Sequence, residues 1–116
     1  MEEKPLELVD LGSVPGVPCP CGTSRRAFLG AGACSLHLVE ISTDSRTHYH
    51  QRLTEVYYFL SGEGQMEIDG RLHPVRPGMA VMIRPGTRHR AVPGRTGMRI
   101  LNFVAPGFDP HDELFD

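Results

Sequence analysis

The distribution of glycine and proline constrains this chain more than any other feature. Thirteen Gly and ten Pro are scattered along 116 residues, and the apolar runs between them are short. Glycine supplies the positive φ of tight turns, and proline lacks the N–H that a helix interior or a central strand requires. Short apolar runs cut by such punctuation read as strands. Candidate strands are residues 26–29, 35–41 (SLHLVEI), 55–60 (EVYYFL), 65–68, 72–75, 80–83, 89–92 and 99–104. The turns between them hold Gly30 to Ala33, Ser61 to Gly64, Asp69-Gly70, Pro77-Gly78, Pro85-Gly86 and Pro93-Gly94. Asp-Gly is a two-residue hairpin signal. Outside the acidic stretch after Pro110, no segment has helical period. The reading is all-β, a sandwich or barrel of many short strands.

The length fits one domain. Prolines at 5, 15, 18 and 20 predict an N-terminal extended arm over 1–24 with one short strand, then a barrel over 25–108 and an acidic tail over 109–116. Forty percent hydrophobic residues suffice for a core. A net charge of −2 and a pI near 6.3 argue against broad attraction to nucleic acid or anionic membrane. No apolar run approaches the roughly 18 residues of a membrane-spanning helix. Met1-Glu2-Glu3-Lys4-Pro5 lacks the basic and apolar regions of a secretion signal, so the cytoplasm is the expected compartment. Three cysteines (Cys19, Cys21 and Cys34) are an odd number, which argues against a disulfide framework. Cys19-Pro20-Cys21 has no second thiol pair to complete a metal site, so these residues read as reduced, partly exposed loop thiols.

The chemistry concentrates in histidines. In His48-Tyr49-His50 the two imidazoles share a face if the backbone is extended, and they can converge on one ion. Two histidines on a polar face also arise without a metal. Glu55 follows the polar stretch Gln51-Arg52-Leu53-Thr54, which reads as a turn; the carboxylate then opens the returning strand and faces the same interior. Its alternative is a solvated strand-end glutamate. His89 follows the tight turn Arg84-Pro85-Gly86-Thr87-Arg88 and opens a strand, where an exposed turn histidine is the competing reading. His37, His73 and His111 stand apart from this grouping.

Taken together, these residues resemble the cupin family. The first cupin motif is matched by His48-x-His50, four residues, Glu55, six residues and Gly62; the second is matched by Gly78, Pro85-Gly86 and His89. The resemblance spans residues 35–106. Ser42, Met79, Arg84 and Pro93 depart from the motifs at positions that bear on turns and substrate contacts, and none of them is a metal ligand. The resemblance implies a cupin jelly-roll β-barrel (a double-stranded β-helix) with one divalent transition-metal ion per chain on His48, His50, Glu55 and His89. Imidazole with carboxylate suits Mn, Fe, Co, Ni or Zn, with Mn, Fe, Ni or Zn the leading expectations. Four protein ligands leave a position open in a five- or six-coordinate ion.

Strand alternation places Tyr57 and Phe59 on the face of Glu55, with Met66, Ile68, Val81 and Ile83 completing an apolar wall. Tyr57 is the candidate catalytic contact, because a buried phenol needs a partner. The expected function is a metal-dependent enzyme acting on a small organic molecule, of oxygenase, isomerase, decarboxylase or lyase type. The alternatives are a non-catalytic small-molecule binding or sensing module and a purely structural metal site. The partners expected are a small molecule and a second copy of the chain as a homodimer, without nucleic acid or membrane.

Overall fold

The computed structural model describes residues 7–116. The start of the expected arm, with the Met1 to Pro5 segment, lies outside the described residues. Seven strands form: β1 Val17–Cys19, β2 Gly22–Ala27, β3 Ser35–Ile41, β4 Thr54–Ile68, β5 Arg71–Val75, β6 Ala80–Ile83 and β7 His89–Ala105. The described helical pieces are two 3-10 turns, Leu11–Ser13 and Pro110–Asp112. No helix is long and apolar enough to cross a membrane among the described residues.

Alternation decides which way each strand faces. Along β3, Ser35, His37, Val39 and Ile41 are buried while the residues between them are partly or fully exposed. Along the first half of β4, Glu55, Tyr57 and Phe59 are buried, and Tyr58 and Leu60 are exposed. The sheet runs β1-β2-β3-β7-β4-β5, all pairs antiparallel, with β6 added to β4.

The backbone of the fold is one long ribbon in which β4 pairs with β7 from Thr54↔Ala105 to Ile68↔His89. One half of it lies between β3 and β6, and the other half carries β5. Side chains from both halves meet in one core: Phe59 and Ile100 from the first, Met66, Ala91 and Val75 from the second. The sheet therefore closes on itself as a barrel. Burial of each large apolar side chain contributes about 1.5–3 kcal/mol before the cost of ordering the chain.

Two expected turns are bulges instead. Ser61 to Gly64 and Pro93-Gly94 stay within continuous strands, with register shifts between Phe59/Ser61 and Gly62/Gly64. Gly62 (φ 79°) and Gly97 (φ 75°) face each other there, and a Cβ on Gly62 would collide with the Gly97 carbonyl. Glycine thus bends the ribbon without ending it. The strand read at 26–29 is β2, which starts at Gly22 and ends at Ala27. It pairs with β1 through Cys19↔Gly22, so the segment read as an arm joins the sheet from Val17 onward. The acidic tail is also tied down, with Leu114 bridged to Tyr49 and Arg88 paired to Asp116 at 2.8 Å.

Candidate metal centre

His48 and His89 are held opposite each other by a reciprocal pair of backbone hydrogen bonds, at 3.1 and 2.9 Å. His50 lies two residues past His48, and after the bend at residues 51–52 Glu55 comes second in β4. The ligand atoms of His48, His50, Glu55 and His89 all lie within 4.8 Å of one another, and all four side chains are buried. They are the one such group of metal-binding type among the described residues; His73 and His111 are exposed and apart from it.

Backbone carbonyls orient all three rings. Nδ1 of His48 donates to the Arg46 carbonyl at 2.9 Å, that of His50 to Asp112 at 2.6 Å, and that of His89 to Thr87 at 2.9 Å. A neutral imidazole that donates from Nδ1 presents a lone pair at Nε2. Those of His50 and His89 point at Glu55 Oε1, at 2.9 and 3.2 Å. Lone pairs facing a carboxylate at such distances repel unless a proton or a cation lies between them. The donor set therefore fits a cation of the imidazole–carboxylate class.

The second carboxylate oxygen, Glu55 Oε2, accepts from Asn102 Nδ2 at 2.6 Å. Burial would raise the Glu55 pKa, but the His50 and His89 contacts outweigh it and hold the group well below the usual carboxylate range. Burial, with the neighbouring His89, pushes the His48 imidazole below its ordinary value. Burial pulls His50 the same way, yet the hydrogen bond and charge of Glu55 prevail and raise it.

Beside the cluster lies a cavity of about 140 Å³ lined by His48, His50, Glu55, Tyr57, Asn102 and the apolar Val39, Ile100 and Val104. This is small against the 300 Å³ or more of typical ligand pockets, estimated roughly across proteins. Tyr57 is buried, with its ring edge-on to His89 at 6.4 Å between centroids. Burial first, then the charge of Glu55, lifts its phenol well above the ordinary value, so it stays a hydrogen-bond donor. Phe59, Met66 and Ile83 do not line the cavity; they fill the core, with Ile68 and Val81 packed against it. The apolar wall expected from them comes from β3 and β7 instead, because β4 bends away past Phe59.

Three contributors escaped the sequence reading. Asn102 is the one polar residue in the apolar run of β7, a signal that was there to be weighed, and its Oδ1 is buried without a partner. Asp112 accepts from the backbone N–H of Gln51, Arg52 and Leu53 at 2.8, 2.9 and 3.1 Å. Glu113 Oε1 stands 3.7 Å from His48 Nε2. The last two come from a segment with no pattern linking it to the histidines. Cys19 and Cys21 also line the cavity, with sulfurs 3.7 Å apart. Hydrogen bonding from Cys21 lowers Cys19 to about 6, and the same contact, with burial, pushes Cys21 up.

Residues 36–104 match the family model described as "Cupin domain". The chain is 33% identical over 85 residues to an L-ectoine synthase of Aliivibrio fischeri, covering 68% of this chain and 66% of that protein. It is 30% identical over 79 residues to the L-ectoine synthase of Halomonas elongata, covering 66% of this chain and 57% of the relative. The match thus spans only about three fifths of the length of these curated relatives. A crystal structure of a protein from Planctomyces limnophilus superposes with a TM-score of 0.89 at 35% identity, over 98% of this chain and all of that one.

Proposed function

The chain belongs to the cupin family, and from that premise we propose that it is an enzyme dependent on a divalent transition-metal ion and acting on a small organic molecule. His48, His50, Glu55 and His89 are the residues to hold the ion. When bound, such an ion supplies Lewis acidity at its open position. The observation that carries this reading is the set of three rings locked by Nδ1 donation, with the Nε2 atoms of His50 and His89 turned towards Glu55 and the ligand atoms of all four residues gathered within 4.8 Å beside a cavity.

The chain's own groups set how a substrate lies in that cavity. Tyr57 offers a hydroxyl that stays protonated, and Asn102 Oδ1 offers an unfilled acceptor. The Nδ2 of Asn102 also fixes the Glu55 carboxylate, so the residue ties substrate position to ligand position. The apolar wall keeps bulk water from competing for those hydrogen bonds. Mn, Fe, Ni or Zn suits the donor set. A reducing compartment such as the cytoplasm keeps the three thiols free. The similarity to L-ectoine synthases supports an enzymatic reading over a sensing module.

Elemental analysis of the purified protein tests the first half, with about one ion per chain expected. No ion, and no uptake on adding Mn, Fe, Ni or Zn, overturns it. Metal-dependent turnover in a screen of small molecules, with dioxygen uptake followed in parallel, tests the second half. Ligand binding without turnover across the screen favours the binding module.

A further inference from the structure

One row of side chains crosses the sheet into the cavity. Arg26 of β2 pairs with His37 of β3, His37 with Asn102 of β7, and Asn102 with Tyr57 of β4. All four line the space that His48, His50 and Glu55 also line. The row spans three strand spacings, about 14 Å along the sheet, so Tyr57 stands at the Glu55 end and Arg26 at the far one.

Arg26 is a cation without a carboxylate partner among the described residues, although its charge helps to lower the Cys19 thiol in the same cavity. Arg52, Arg88, Arg90 and Arg99 each have a carboxylate within 4 Å; Arg26 has none, nor do Arg25, Arg46, Arg71, Arg76, Arg84 and Arg95, but of these Arg26 is the one that lines the cavity. Its Nε donates to Ser24 Oγ at 3.3 Å, and its guanidinium lies over the Phe108 ring, 4.5 Å from the centroid. Neither contact neutralises its charge, and the two Nη groups have no acceptor among the described residues. The carboxylates that line the cavity are engaged elsewhere: Glu55 with His50, His89 and Asn102, Asp109 with Arg52, and Glu113 near His48. A half-buried guanidinium that no carboxylate of the described residues answers suits a ligand anion.

His37 suits the same occupant. Ser35 Oγ accepts from the Phe108 N–H at 3.0 Å, which leaves its proton free to donate to His37 Nε2, 2.8 Å away. That tautomer carries Nδ1–H, for which no described residue is an acceptor. Burial, together with the charge of Arg26, holds the ring down at about 4, so it stays neutral and a donor near neutral pH.

We infer that Arg26, with His37 beside it, is a carboxylate-binding subsite, and that the substrate is a small organic acid held by its carboxylate at this end and by its reacting end at the metal cluster. This rests on the reading of the cluster as the reacting end. A single planar guanidinium matches a two-oxygen monoanion in bidentate geometry, whereas a phosphate dianion calls for more positive charge than this wall holds. Val39, Ile100 and Val104 between the two ends suit a short carbon chain.

The test follows the Arg26 side-chain Nε–H resonance in isotope-labelled protein during titration with butyrate, and with butyramide as the uncharged counterpart. Butyrate should shift that resonance saturably, and butyramide should bind about tenfold or more weakly. Arg26→Met should weaken butyrate by a similar factor and Arg26→Lys by less, while Arg71→Met, at an exposed position of β5, should change nothing. Equal binding of acid and amide, or butyrate binding that survives Arg26→Met in a protein with unchanged melting temperature, overturns the subsite. Should Arg26→Met not fold, the comparison of acid and amide on the wild type decides alone. Because the readout is at Arg26, it stands or falls separately from the metal content, which elemental analysis reports.

Discussion

At the scale of single residues, the proposed centre depends on how unequal its six histidines are. His50 and His89 are buried with both ring nitrogens engaged, whereas His73 and His111 are exposed. His50→Ala and His89→Ala should each reduce bound metal to a small fraction of an equivalent, and His73→Ala and His111→Ala should leave it unchanged. Elemental analysis of the four variants checks this, and uniform behaviour would refute the ligand assignment. Tyr57→Phe separates catalysis from structure. The phenol has no hydrogen-bond acceptor among the described residues and lines the cavity, so its loss should spare fold and metal. Ligand affinity or turnover should drop by about 1.5–3 kcal/mol, the worth of a hydrogen bond involving a charged group. A silent Tyr57→Phe in both assays would favour a structural metal. His37 gives a pH signature. Burial, then Arg26, lowers it from 6.5 to about 4 in the fold, so the unfolded chain binds the proton more readily between these values. Its contribution to stability is complete above pH 6.5 and is lost as pH falls towards 4. The slope reaches at most about 1.4 kcal/mol per pH unit for one proton. Denaturant melts across that window, compared with His37→Gln, should show a steeper slope in the wild type by up to that amount, since the buried His48 contributes to both.

At the scale of elements, the segment after Pro110 matters more than its composition suggests. Asp112 gathers three successive N–H groups of the turn between His50 and Glu55, and its carbonyl holds His50 Nδ1. Asp112→Ala should destabilise the fold by about 2–3 kcal/mol, because the buried Leu53 N–H loses its acceptor. It should also weaken metal binding by about tenfold or more, because the segment whose backbone carbonyl holds His50 Nδ1 loses its side-chain anchor to the turn. Calorimetry and a competition assay with a chelator measure the two effects. Burial works against ionising Asp112, but the three N–H donors prevail and lower it below 3.8. Its stabilisation is therefore present above pH 3.8 and is lost as pH drops through the folded value. This segment also marks where sequence reading stops. The strands at 35–41 and 80–83 and the meeting of His48, His50, Glu55 and His89 were legible, because alternation and turn spacing are local signals. The Gly62–Gly97 bulge was not, since a glycine that ends a strand and one that bends it look alike until the partner strand is present. Asp112 acts across some sixty positions, and Arg26 gains meaning only by pairing with His37, so neither left a local pattern.

At the scale of the whole molecule, the outer face of the ribbon predicts how copies associate. Val56 pairs with Phe103 on one side and Met82 on the other, and Tyr58 pairs with Leu101 and Ala80. Directly paired residues of antiparallel strands share a face, and here it is the one opposite Glu55 and Tyr57. Phe103, Tyr58 and Met82 are 42, 44 and 55% exposed, so the patch is open in the single chain. Contiguous apolar surface of this kind on a small domain marks a contact surface. The outer edge of the sheet is a poorer candidate, because β1 is three residues long and contains Pro18, which cannot donate to a ladder. A second copy packed face to face across a two-fold axis would cover the patch on both chains at once. The face is remote from the cavity in sense, since the cavity takes the alternate residues of the same strands, so association leaves the proposed centre open. Sedimentation at tens of micromolar should therefore give twice the 12.8 kDa of the chain. Met82→Glu and Phe103→Glu, which place a carboxylate in the middle of the contact, should shift the protein to a monomer without loss of metal. A wild-type monomer at that concentration, or a dimer indifferent to both substitutions, would refute this interface.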